Sequence, residues 1–167
     1  FRFASLEDAF RDLVPGSGDQ LLVERQWVPA PLAEVFGFFS SAHNLERITP
    51  PWLKFQVLTP PERSIEAGSL IDYRLKIHGV PVRWRTLIES WDSGRSFVDT
   101  QLKGPYRKWH HTHRFEELQG GVLVEDRVLY QLPFSFVGQA LGGAVVRRDV
   151  EEIFGYRKKV IREIFAR

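Results

Sequence analysis

The sequence predicts an α+β domain: a seven-stranded antiparallel sheet, two short helices after the first strand, and a long C-terminal helix. Strand-like alternation of apolar and charged residues recurs from Ser69 to Pro133, broken only by turn residues. Apolar residues then recur at helical spacing over residues 137–165. Alternation with one charged face marks an antiparallel sheet buried on one side and wet on the other. One long amphipathic helix against such a sheet makes the arrangement α+β.

Residues 1–19 carry a short helical pattern, Phe3, Leu6, Phe10 and Leu13, with Ser5 as a cap and Pro15-Gly16 as the stop. They are read as an N-terminal extension, leaving residues 20–167 as the domain. Gln20–Val28 is the first strand. Pro29-Ala30-Pro31 opens a helix through Phe39, since proline suits the first helical turn. Ser41 is expected to cap a second helix that Pro50-Pro51 closes. Residues 53–58 are the second strand, and a loop follows.

Then the meander begins. Ile71, Tyr73, Leu75 and Ile77 alternate with Asp72, Arg74 and Lys76. A turn at His78-Gly79-Val80-Pro81 leads to Val82, Trp84, Thr86 and Ile88. Asp92-Ser93-Gly94-Arg95 turns the chain into residues 97–102, and Lys103-Gly104-Pro105-Tyr106 leads on to the next hairpin.

That hairpin, residues 108–133, organises the rest. A two-residue loop at Gln119-Gly120 sets Phe115 opposite Val124, His113 opposite Asp126, His111 opposite Val128 and Trp109 opposite Tyr130. Arg114 then meets Glu125 on the other face, as cross-strand pairing favours. The inner row thus carries a histidine opposite a carboxylate among apolar neighbours. In the final helix, the apolar stripe runs through Val137, Leu141, Ala144, Val145, Ile153, Phe154, Val160, Ile161, Ile164 and Phe165. The opposite, solvated side is assigned Arg147, Arg148, Glu151, Arg157, Lys158, Arg162 and Glu163. Such a helix is about 43 Å long, enough to cross a sheet.

The 167 residues suit a single domain. With no Cys, the chain can form no disulfide, thiol nucleophile or cysteine-metal site. Met is absent even at position 1, which suggests that the natural start is missing. No run approaches the ~18 apolar residues of a membrane span, and no signal-peptide pattern opens the chain. No stable membrane insertion and a cytoplasmic location are expected. A net charge of +2 does not argue for nucleic acid. Oligomeric state stays open.

Four stretches resemble the SRPBCC superfamily, the START and birch-pollen-allergen-like helix-grip fold. They are NLERITPPWLKF (residues 44–55), GSLIDYRLKIHGVPVRWRTLI (68–88), FVDTQLKGPYRKWHHTHRFEE (97–117), and LPF followed by VVRRDVEEIFGYR (145–157). Within it the chain is most similar to the bacterial ligand-binding SRPBCC domain, or cyclase/dehydrase-like, group. The resemblance covers residues 20–165. It implies a curved seven-stranded sheet wrapped around the C-terminal helix, and a cavity between them for a hydrophobic or amphipathic small molecule. It implies no common reaction, because a fold does not fix a function.

If the apolar sets face the helix, the candidate ligand-binding wall is Tyr73, Trp84, Thr86, Asp99, Gln101, Trp109, His111, His113 and Tyr130. Buried polar groups must be hydrogen-bonded or face a wet cavity. One reading is a pocket whose polar groups orient a ligand. The other is a closed network in which Asp99 and Asp126 satisfy the two histidines. His113 and Asp126 also suit a general base with its orienting carboxylate, catalytic only if the protein is an enzyme. No nucleophile motif accompanies them, so proton transfer, as in cyclisation or dehydration, is more credible than acyl transfer. His111 and His113 with Asp126 as a third ligand would suit a metal, but nothing else supplies cofactor logic. No metal and no cofactor are expected.

Overall fold

The computed structural model describes residues 15–60, 65–132 and 139–166. The helical pattern read into the first residues lies largely outside these, as does the start of the last helix. Seven strands form one antiparallel sheet: β1 (Gln20–Val28), β2 (Gln56–Val57), β3 (Leu70–Ile77), β4 (Val80–Asp92), β5 (Ser96–Lys103), β6 (Lys108–Leu118) and β7 (Gly121–Gln131). Their spatial order is β1-β7-β6-β5-β4-β3-β2, a meander with the first strand added beside the last. Helices α1 (Leu32–Phe39) and α2 (Asn44–Ile48) follow β1, and α3 (Gln139–Ile164) ends the chain. This is the helix-grip fold.

Two hairpins turn on two residues each. Gln119 and Gly120 have φ of 51° and 77°, and His78 and Gly79 have 47° and 81°. Two consecutive left-handed residues match the twist of the flanking strands. The β6–β7 register is the expected one, with His113 opposite Asp126 and Trp109 opposite Tyr130. The β3–β4 turn is shorter than expected, because Val80 and Pro81 already pair with Ile77 and Lys76. Pro81 is tolerated there because β5 pairs β4 only from Arg85 onward, leaving one side of the strand open.

Three local readings need correction. The second strand shrinks to Gln56–Val57, since Pro51–Leu53 coil into a 3-10 turn ended by Lys54 at φ 47°. Ser41 does not cap α2; His43 precedes the helix, and the Asn44 amide side chain donates to the Phe38 carbonyl at 2.9 Å, tying α2 to α1. In α3 the buried positions are Val150, Phe154, Arg157, Ile161 and, just beyond the helix, Phe165, whereas Val145 is exposed. That spacing of three and four residues is one helical stripe, and Arg157 stands inside it.

The inner face of the sheet has two halves. Under the C-terminal half of α3, Phe36 and Phe39 of α1 pack densely on Phe97, Phe115, Val122 and Val124 of the sheet. A bulge at residue 89 shifts the register between Ile88 and Ser90. Beyond it Trp91 stacks on Phe97 at 5.3 Å. The other half, built on Ile71, Tyr73, Leu75, Trp84 and Ile88, does not close over.

Candidate functional site

Between that open half and α3 lies a cavity of about 570 Å³. Its flat walls are Tyr73, Trp84, Tyr106 and Trp109. Trp84 meets Trp109 edge to face at 5.3 Å, and Tyr106 packs on Trp109 at 4.7 Å. At the outer edge the His78 ring nitrogen lies 2.7 Å from Asp149 of α3, bridging the β3–β4 turn to the helix.

The inner end is polar. Strand register places Asp99 opposite His111, and His113 between Phe97 and Asp126. The aligned hydrogen bonds run diagonally: His111 Nε2 to Asp126 Oδ1 at 3.0 Å, and His113 Nε2 to Asp99 Oδ2 at 2.7 Å. His113 Nδ1 also lies 3.0 Å from Asp126 Oδ1, but off the alignment of a hydrogen bond. The two imidazoles sit 3.8 Å apart, and His113 stacks on Phe97 at 4.1 Å. Arg157 completes the cluster from α3, its guanidinium 3.5 Å from Asp126 Oδ1 and lying over the rings of Phe39 and Phe154.

The shared environment separates the two histidines. Burial, reinforced by the charge of His113, pushes His111 down to about 4, so it is neutral at pH 7. Burial also opposes charge on His113, yet contacts with Asp126 and Asp99 outweigh it and raise the group above its ordinary value. Burial would raise Asp126, but Arg157 and the histidines hold it well below the carboxylate range. Asp99 is lowered against the same burial by the histidines. With His113 protonated, two carboxylates face two cations and the cluster is neutral. That balance makes such burial tolerable.

Of the residues expected on the wall, Tyr73, Trp84, Thr86, Asp99, Trp109, His111 and His113 line the cavity. The Tyr73 hydroxyl is already bonded to Thr86 Oγ1. Gln101 and Tyr130 do not line it. Gln101 folds under the β5–β6 loop, where Nε2 donates to the Tyr106 carbonyl at 2.7 Å and Oε1 accepts from the Tyr106 amide at 3.2 Å. A Cβ on Gly104 would stand 2.2 Å from Gln101 Oε1, so any larger residue there would displace the Gln101 side chain. Tyr130 is buried against Trp109, Tyr106, Val150 and Phe154 instead. Asp126 sits behind the histidines rather than on the cavity surface.

Arg157 is the residue that sequence reasoning placed wrongly, on the wet side of α3. Walking by three and four from Val150 through Phe154 to Ile161 lands on it, and that was the available signal. Among the described residues, Asp99, His111 and His113 form a group whose ligand atoms lie within 4.8 Å of one another, so Asp99 replaces Asp126 as the third member of any metal set. The short His113–Asp99 hydrogen bond already joins two of the three.

The family model for polyketide cyclase / dehydrase and lipid transport proteins matches residues 28–153. The chain belongs to this family. Solved structures similar to this family member include a START superfamily protein from Mycobacterium smegmatis, at TM-score 0.67 and 12% identity over 87% of this chain and 97% of that one. TTHA0849 from Thermus thermophilus follows at TM-score 0.62 and 20% identity over 87% and 99%. Ginseng major latex-like protein 151 from Panax ginseng gives TM-score 0.62 and 12% identity over 89% and 98%. At these identities they show the fold alone. A search of curated protein sequences finds no match. No helix among the described residues is long and apolar enough to cross a membrane.

Proposed function

We propose that the protein binds a small hydrophobic or amphipathic molecule between the sheet and α3, as a carrier or sensor. The supporting observation is a cavity of about 570 Å³ with aromatic walls and a buried polar inner end. That is the usual make-up of a small-molecule site. The reading is of a cytoplasmic protein without a nucleic-acid partner, in which Asp99, His111 and His113 meet the ligand's polar end. Titration with the uncharged fluorophore N-phenyl-1-naphthylamine tests it, followed by displacement with sterol, polyketide, flavonoid and fatty-acid compounds. One-to-one saturable binding is expected, with a changed order of competitors on Trp84→Leu. No saturable binding at all would defeat the reading.

A second reading is an enzyme of the cyclase or dehydratase kind, favoured by the contact of His113 with two carboxylates. His113 would transfer the proton, with Asp126 and Asp99 orienting its ring. His113→Gln should then abolish turnover and spare binding.

A further inference from the structure

We propose that Arg157 is the anchoring donor of the cavity, and that its ligand carries an oxygen acceptor, a carbonyl or a carboxylate, at the end facing α3. This rests on the binding reading above and specifies its polarity.

The argument is a balance of donors and acceptors. A guanidinium offers five N–H donors, and a buried one is ordinarily bonded several times over. Arg157 is 7% exposed, yet its Nε has no hydrogen-bond partner and its ion pair among the described residues is one 3.5 Å contact with Asp126. Its position is not accidental slack, because Phe39 and Phe154 both lie against the guanidinium, at 5.2 Å and 5.6 Å from their ring centres. Another cavity-lining residue, Trp84, also holds an unpartnered buried nitrogen, at Nε1.

Three oxygen acceptors around the guanidinium are already engaged. Asp99 takes the His113 proton donor, Asp126 takes His111, and the Tyr73 hydroxyl is used by Thr86. A carboxylate tolerates a spare lone pair far better than a buried N–H tolerates having no acceptor. At Arg157, what the wall lacks is therefore an oxygen. The flat rings of Trp84 and Trp109 suit a planar body behind it.

Three naphthalene fluorophores separate the alternatives. N-phenyl-1-naphthylamine lacks an oxygen acceptor, 6-propionyl-2-dimethylaminonaphthalene carries a ketone, and 1-anilinonaphthalene-8-sulfonate carries an anionic group. On the wild type, the ketone or the sulfonate probe should bind about tenfold tighter than the amine, as a charge-assisted hydrogen bond allows. Which of the two gains more distinguishes a carbonyl from an anionic headgroup. Arg157→Gln should remove that gain and leave the amine probe within about twofold. Should Arg157→Gln fail to fold by circular dichroism, Arg157→Lys serves, with the gain reduced rather than lost. If all three probes bind the wild type equally, or all weaken equally in the variant, Arg157 merely shapes the wall and the proposal is overturned. If none binds, the cavity reading itself fails.

Discussion

The two halves of the inner sheet face are built from the same alternating strands, yet one is filled and the other is open. Under α1, Phe115 touches Phe36, Phe39 and Phe97 at ring separations of 5.1, 5.3 and 6.0 Å. Under the N-terminal half of α3, the broad rings of Tyr73, Trp84 and Trp109 meet edge to face or tilted and leave the cavity between them. Residue size does not decide the difference. The filled half has a short helix, α1, laid directly on it, whereas α2 and the 3-10 turn only border the open half. The charged cluster stands on the boundary.

The largest expected effect is on the filled side. Phe115→Ala should cost about 3–5 kcal/mol, because the surrounding rings cannot collapse into the space. Leu75→Ala, on a cavity wall, should cost only about 2 kcal/mol, since the void beside it already exists. Urea unfolding of both variants reads this directly; equal losses would mean that the two halves are packed alike.

The next effect concerns the boundary. His111 is held near 4 in the folded protein against about 6.5 unfolded. The unfolded chain therefore binds the proton first as the pH falls, and stability should drop between about 6.5 and 4, by on the order of 3 kcal/mol. His113 has the opposite sign: its contribution is full below the unfolded value and fades as the pH rises through its raised folded value. His111→Gln, which keeps an N–H for Asp126, should flatten the acid arm. A variant with the wild-type pH profile between those limits would show that His111 is not held neutral.

The smallest effect is a null one. Because Arg157 already neutralises Asp126 and His113 already bonds Asp99, we expect no stoichiometric transition metal by elemental analysis of untagged protein, and no change in melting temperature with chelator. Zinc, iron or nickel bound one to one and lost on His111→Ala would contradict this.

The hairpin register was legible because glycine after Gln119, β-branched residues and the Arg114–Glu125 pair all required one pairing. The wall was legible wherever alternation is unbroken, which is why seven of its nine residues line the cavity. It failed at Gln101, which keeps the inward register opposite Thr86 but turns its amide under the β5–β6 loop to bond the Tyr106 backbone. It failed at Tyr130 because a residue can face inward and still lie under another ring. Arg157 was missed for a different reason: charge suggested the solvent side of a helix whose periodicity said otherwise. That Asp99 and Asp126 could serve the two histidines was legible, but not which bonds which, because diagonal contacts depend on side-chain reach, which neighbouring-pair logic ignores.

The pairing of β1 with β7 bears on how the chain reaches this state. Val28 lies beside Val122 and Gln20 beside Tyr130, roughly a hundred residues apart in sequence, whereas β5, β6 and β7 are joined by short turns. Closing so long a loop is entropically costly, and such non-local pairing slows folding toward the millisecond-to-second range. The local strands are thus expected to assemble Asp99, His111, His113 and Asp126 before α3 arrives with Arg157. Until then the two carboxylates outnumber their cations, and the nascent sheet keeps that face wet. Docking of the last helix both covers the cavity and balances the charge of the cluster.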